Sequence, residues 1–134
     1  MIRVASLKGK TIAVMGLGKS GMSTAKSLMA SGAKVFAWDD SSDRRAEAEA
    51  DGIPVFGLTN GLWNVIDTRV LSTGIPHTFP TPHPVAALAR AHGTEIIGDV
   101  ELLTRAETAA KYIGITGTNG KSTTTALIGH ILET

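Results

Sequence analysis

The stretch Thr11-Ile12-Ala13-Val14-Met15-Gly16-Leu17-Gly18-Lys19-Ser20-Gly21 decides how the rest of the chain is read. A short apolar run that stops at glycine is the pattern of a parallel strand buried on both faces. G-x-G-x-x-G follows it. Gly16 permits a tight turn, Gly18 lets the backbone approach a phosphate, and Gly21 lets the next helix pack close to the strand. Such a loop aims backbone N–H groups and a helix N-terminus at an anion. The inner Gly18-Lys19-Ser20 also ends like an ATP-binding P-loop. That reading fails on spacing, because the glycine it needs five residues before Gly18 is Ala13.

Outward from this loop, Ser23–Ser31 carries Ala25, Leu28 and Met29 at helical spacing, with Gly32 as a natural stop. Lys34–Trp38 reads as a second strand. Asp39 at its end follows Gly21 by 18 residues, where a carboxylate would accept from a ribose hydroxyl. Ser42 or Asp43 is placed to cap a helix over Arg44–Ala50, closed by Gly52. Ile53–Phe56 reads as a third strand, residues 57–64 as a loop with room for a helical turn, and Thr68–Ser72 as a fourth strand. Four prolines (Pro76, Pro80, Pro82, Pro84) then punctuate a loop before a helix over Val85–Ala91 and a fifth strand over Glu95–Ile97. The alternation predicts an α/β fold, a Rossmann-like open parallel sheet flanked by helices.

That five-stranded unit is complete near Ile97, so residues 1–97 form one domain. Residues 98–134 then read as a helix over Asp99–Glu107, a strand over Tyr112–Ile115 and a helix over Lys121–Glu133. This is the truncated start of a second, P-loop ATP-binding domain, and the chain reads as part of a longer protein. Its glycine loop is the stronger of the two. Backbone N–H groups of Thr118–Lys121 would nest β- and γ-phosphates while the Lys121 ammonium neutralises charge there. The Ser122 hydroxyl suits Mg²⁺, a hard cation that prefers oxygen. The spacing again departs from the common P-loop, since Ile115 stands five residues before Gly120; the glycines are Gly114, Gly117 and Gly120.

Composition excludes several other classes. Thirteen basic against twelve acidic residues give no electrostatic case for nucleic acid or an anionic membrane. No apolar run approaches the ~18 residues of a membrane span, and MIRVASLKGK lacks the apolar core of a secretory signal. With no cysteine there is no disulfide, thiol catalysis or Cys-ligated metal. A cytoplasmic protein is expected. His77, His83, His92 and His130 show no metal-like clustering. Asp43, Arg44, Arg45, Glu47 and Glu49 read as a solvated helix face, Trp38 and Trp63 as packing residues, and Asp99 and Glu101 as capping or junction acids.

The variant Gly114-Ile115-Thr116-Gly117-Thr118-Asn119-Gly120-Lys121-Ser122-Thr123 resembles the ATP loop of the Mur ligase family, the ATP-dependent amide-forming enzymes of peptidoglycan synthesis. The stretches "GLGKSG", "LSTGIP" at Leu71–Pro76 and "IIGDVEL" at Ile96–Leu102 are similar to landmarks of the D-glutamate-adding branch of that family, in the same order. The L-alanine-adding branch usually has His where Asn119 stands, and it remains the nearest alternative. A non-catalytic NAD-sensing Rossmann module is the alternative from another class.

The resemblance implies that the first loop holds the UDP part of UDP-N-acetylmuramoyl-L-alanine rather than a nicotinamide cofactor. Carried over by position, Gly18, Lys19, Ser20 and Gly21 face the diphosphate, Asp39, Asp40 and Ser41 lie near uridine, and Gly74 lines the uracil side. The family's Ser-Pro-Gly is Ser72-Thr73-Gly74 here, and Asp40-Ser41 replaces what is often a Thr-Arg-like pair. Gly117, Thr118, Asn119, Gly120, Lys121, Ser122 and Thr123 would bind ATP, with Lys121 as the catalytic residue and Ser122 on Mg²⁺. The implied reaction activates the substrate carboxylate with ATP as an acyl phosphate, which the amine of D-glutamate then attacks. The family's remaining metal-binding and amino-acid-binding groups come later in the chain, so these 134 residues are expected to be inactive alone. Leu127, Ile128, Ile131 and Leu132 form an apolar helix face whose partner is missing, which predicts self-association through the final helix or a poorly ordered C-terminus.

Overall fold

The computed structural model describes residues 2–58, 62–71, 75, 76, 78 and 80–133, with the backbone alone for 62 and 69–71. Four parallel strands, β1 (Thr11–Met15), β2 (Lys34–Trp38), β3 (Thr68–Leu71) and β4 (Glu95–Gly98), form one sheet in the order β2-β1-β3-β4. Five α-helices accompany it among the described residues, α1 (Lys19–Ala30), α2 (Ser42–Ala50), α3 (Pro84–Ala91), α4 (Asp99–Ala106) and α5 (Lys121–Leu132), with short 3-10 turns at Ala5–Leu7 and Leu62–Val65. The strand order reverses between β1 and β3. In an open α/β sheet, that switch point is where ligands bind, outside the carboxyl ends of the strands.

β1 shows why its sequence is apolar throughout. Ile12 and Val14 face one side of the sheet, packing with Ala25, Leu28 and Ile97. Ala13 and Met15 face the other, among Trp63, Ile66, Val85 and Ala89. Alternation in a strand sends successive side chains to opposite faces, and both faces here are covered. On α1 the buried positions are Gly21, Ala25 and Leu28, one helical stripe turned to the sheet. The fully buried Leu28 contributes about 2 kcal/mol by leaving water.

Several expectations are corrected. α1 begins at Lys19, four residues before the expected start at Ser23, so Lys19 and Ser20 lie in its first turn. Ser41, not Ser42 or Asp43, is the N-cap of α2, and it makes no side-chain cap bond. Among the described residues the sheet has four strands rather than five. Ile53–Phe56 reaches it only through an isolated parallel bridge between Val55 and Ala37, with hydrogen bonds from Ala37 N to Pro54 O and from Phe56 N to Ala37 O. Pro54 has no N–H to extend the ladder. Tyr112–Ile115 is not a strand: Tyr112 and Ile113 are exposed, and no neighbouring strand lies beside them among the described residues. A strand exists only by bonding to another. α4 packs onto the first sheet, with Leu102 in the same core as Ile12 and Leu28. α5 buries no side chain.

Candidate functional site

The first glycine loop sits at the switch point, and its geometry follows from the strand beside it. Gly16 takes φ +92°, a left-handed conformation that lets the chain leave β1 sharply. Its N–H donates to Trp38 O at 2.8 Å. The next N–H, that of Leu17, donates to Asp39 Oδ2 at 2.7 Å. Gly18 is the N-cap of α1, and nothing lies within 4 Å of where a side chain would begin there. The first intrahelical bond runs from Met22 N to Gly18 O. The N–H groups of Lys19, Ser20 and Gly21 come before that bond at the helix end, the arrangement that attracts an anion.

Asp39 is buried, and its carboxylate is occupied. Besides Leu17 N it accepts from Ser41 N at 2.9 Å, and Arg44 Nη1 lies 3.4 Å from Oδ2. Burial alone would raise its pKa. The hydrogen bonds from Leu17 and Ser41 and the Arg44 charge outweigh that, leaving it below the usual carboxylate value. Asp39 thus braces the loop, while Asp40 and Ser41 beside it are exposed. Gly74 lies outside the described residues, as do Ser72, Thr73 and His77.

Three residues escaped the sequence reading. Arg45 is not simply solvated: its Nη1 donates to the carbonyls of Asp39 at 2.7 Å and Asp40 at 2.9 Å, and its guanidinium lies 4.4 Å from the Trp38 ring centroid. Arg44 is drawn to Asp39. The signal was two arginines in a first helical turn, directly after a strand ending in acids. His83 caps α3, its Nδ1 accepting from Val85 N at 3.2 Å, with Nε2 3.0 Å from Asp40 Oδ2. Pro84 at the first helical position marked that cap.

The second loop has the same local grammar with less around it. Gly117 takes φ +146° and Gly120 φ +77°, so the chain enters α5 through a left-handed glycine. The Lys121 ammonium donates to Gly117 O, folding back over its own loop. The N–H groups of Lys121, Ser122 and Thr123 precede the first intrahelical bond, Thr124 N to Gly120 O. Thr118, Asn119 and Thr123 are exposed with them. An exposed hydroxyl at Ser122, a lysine and free helix-end donors fit a nucleotide phosphate and its Mg²⁺. No group of three or more His, Asp or Glu that could hold a metal occurs among the described residues, and none of their helices is long and apolar enough to cross a membrane.

Residues 1–89 match the family model described as D-isomer specific 2-hydroxyacid dehydrogenase, NAD binding domain. Among curated proteins, a UDP-N-acetylmuramoylalanine--D-glutamate ligase of Rhodospirillum rubrum is 51% identical over 130 residues, 93% of this chain and 27% of that protein. The enzyme of the same name from Brucella abortus is 50% identical over 137 residues, 99% of this chain and 29% of its own length. The chain thus spans less than a third of these relatives. Among solved structures, shikimate dehydrogenase from Aquifex aeolicus aligns with TM-score 0.56 and 17% identity, over 77% of this chain and 47% of that one. At that identity, the likeness concerns the Rossmann-like fold.

Proposed function

We infer the function from two memberships: over residues 1–89 the chain belongs to the family of D-isomer specific 2-hydroxyacid dehydrogenase NAD-binding domains, and over nearly its whole length it is a homologue of UDP-N-acetylmuramoylalanine--D-glutamate ligases. The two point to different ligands for the first loop. We propose the second: a UDP-binding domain over residues 1–97 and, from 98 to 134, the opening of an ATP-binding domain, with α4 as the joint between them. The observation that carries this is the state of Asp39. A dinucleotide site keeps its strand-end acid for a ribose hydroxyl, whereas this one is turned inward onto Leu17 N and Ser41 N. Identity of about half running through both loops supports the same choice.

In this reading Gly18, Lys19, Ser20 and Gly21 hold the diphosphate of UDP-N-acetylmuramoyl-L-alanine, with the Lys19 ammonium adding charge. Asp39 shapes that cradle, and Asp40, Ser41 and Gly74 contact the uridine. Gly117–Thr123 hold ATP. Lys121 is the catalytic residue, released from the Gly117 carbonyl to meet the phosphate, and Ser122 supplies an oxygen to Mg²⁺. Bound Mg²⁺ would neutralise phosphate charge. The whole protein ligates D-glutamate to its substrate in peptidoglycan synthesis, in the cytoplasm, and residues 1–134 alone turn nothing over.

Titration of the chain with UDP, NAD and ATP tests the reading. UDP binding without NAD binding is expected; NAD binding without UDP would replace it with the nucleotide-sensing module. In the full-length protein, Lys121→Ala should lower ATP- and D-glutamate-dependent phosphate release by roughly 10²- to 10³-fold, as loss of one preorganised charge does. A variant retaining a tenth of the activity would remove Lys121 from the chemistry.

A further inference from the structure

His83 joins three segments of the chain at one residue. Its backbone N–H donates to Pro76 O at 2.8 Å, closing the loop that follows β3. Its carbonyl accepts from Ala86 N, starting α3, and its Nδ1 accepts from Val85 N. Since Nδ1 receives that N–H, the neutral ring carries its proton on Nε2, pointed at Asp40 Oδ2. The imidazole is largely buried, with 17% of its side chain exposed, against 69% for Asp40.

A helix cap does not require this residue. Asn, Asp or Ser would satisfy the Val85 N–H with a shorter side chain. What the imidazole adds is a second nitrogen that reaches the loop after β2. Asp40 is then fixed from both ends, its carbonyl by Arg45 and its carboxylate by His83. Asp40 follows β2 and His83 opens α3, so the pair ties together two segments that are 43 residues apart.

We propose that His83 is a positioning residue of the nucleotide site: by holding Asp40 against the start of α3, it fixes the carboxylate that meets the uridine end of a UDP-type ligand. The proposal rests on the UDP reading above. Asp40 meets the ligand, and His83 acts through Asp40.

The test is a double-mutant cycle on the 134-residue chain, reading UDP affinity by calorimetry and stability by urea unfolding. His83→Asn keeps a cap but cannot span to Asp40. It should unfold at the wild-type midpoint while binding UDP about five- to tenfold more weakly. Asp40→Ala should also weaken binding, and adding His83→Asn to it should cost no more. Wild-type UDP affinity in His83→Asn would overturn the proposal, leaving only a helix cap; so would losses that multiply in the double variant. ¹⁵N spectra of the free protein should show the Nε2–H tautomer, shifted by Asp40→Ala; an Nδ1–H ring would equally overturn it. A wild-type chain that binds no UDP would bring down the functional reading itself, an outcome distinct from wild-type binding that His83→Asn leaves unchanged.

Discussion

The two glycine loops share a grammar and differ in what surrounds them. Gly16–Gly21 leaves a strand paired on both sides, its second N–H is held by a buried carboxylate, and its helix buries Gly21, Ala25 and Leu28. Gly114–Thr123 leaves a segment with no strand beside it among the described residues and opens a helix that buries nothing. Both reach their turns through glycines at positive φ, Gly16 in one and Gly117 and Gly120 in the other. Local sequence therefore suffices to shape such a glycine turn. Holding one rigid takes a sheet, a packed helix stripe and a neighbour to satisfy its N–H groups. The first loop is held in place on every side; the second depends on contacts that the described residues do not supply.

The comparison breaks first if the support beneath α1 is unimportant. Leu28→Ala removes a fully buried side chain beneath the first loop, and should cost about 3 kcal/mol. Urea unfolding would read this, and a loss below about 1 kcal/mol would mean that α1 is not anchored as described.

Asp39 comes next. Asp39→Asn retains one acceptor but offers an amide to a site built of donors, and should cost about 2 kcal/mol. UDP affinity should fall about tenfold as the cradle loosens. The pH dependence sharpens this further. Asp39 has a lower pKa folded than unfolded, so its contribution is complete above about pH 4, the usual carboxylate value, and drains away as pH falls through the folded value. The stability gap between wild type and Asp39→Asn should hold from pH 7 to 5 and narrow below 4. A gap that stayed constant down to pH 2 would assign the effect to shape rather than charge.

How legible this was in the sequence follows the same division. β1 and β2 were readable to the residue, because an apolar run between polar turns and glycines has one use in a parallel sheet. Ile53–Phe56 was misread because its composition is that of a strand while Pro54 withholds the N–H that would continue the ladder. Tyr112–Ile115 carries a strand's residues without a strand to pair with, and pairing is not a local property. At the site, Asp39 was found by its distance from Gly21, but the inward turn of its carboxylate was not, since spacing fixes position and not direction. Arg45 and His83 were hidden because their roles depend on partners five or six and 43 residues away, respectively.

The smallest effect expected is the most direct check on the second region. Leu127 is 57% exposed on α5, beside the exposed Ile131 and Leu132. Truncating it removes no packing from the sheet domain, so Leu127→Ala should change unfolding free energy by less than about 0.5 kcal/mol. The same change removes part of an apolar row that water disfavours. If α5 associates with a second copy of the chain, sedimentation should show the wild type growing heavier with concentration and the variant less so. A loss near that of Leu28→Ala would mean α5 has a partner within its own chain, and the contrast between a supported and an unsupported loop would have to be abandoned.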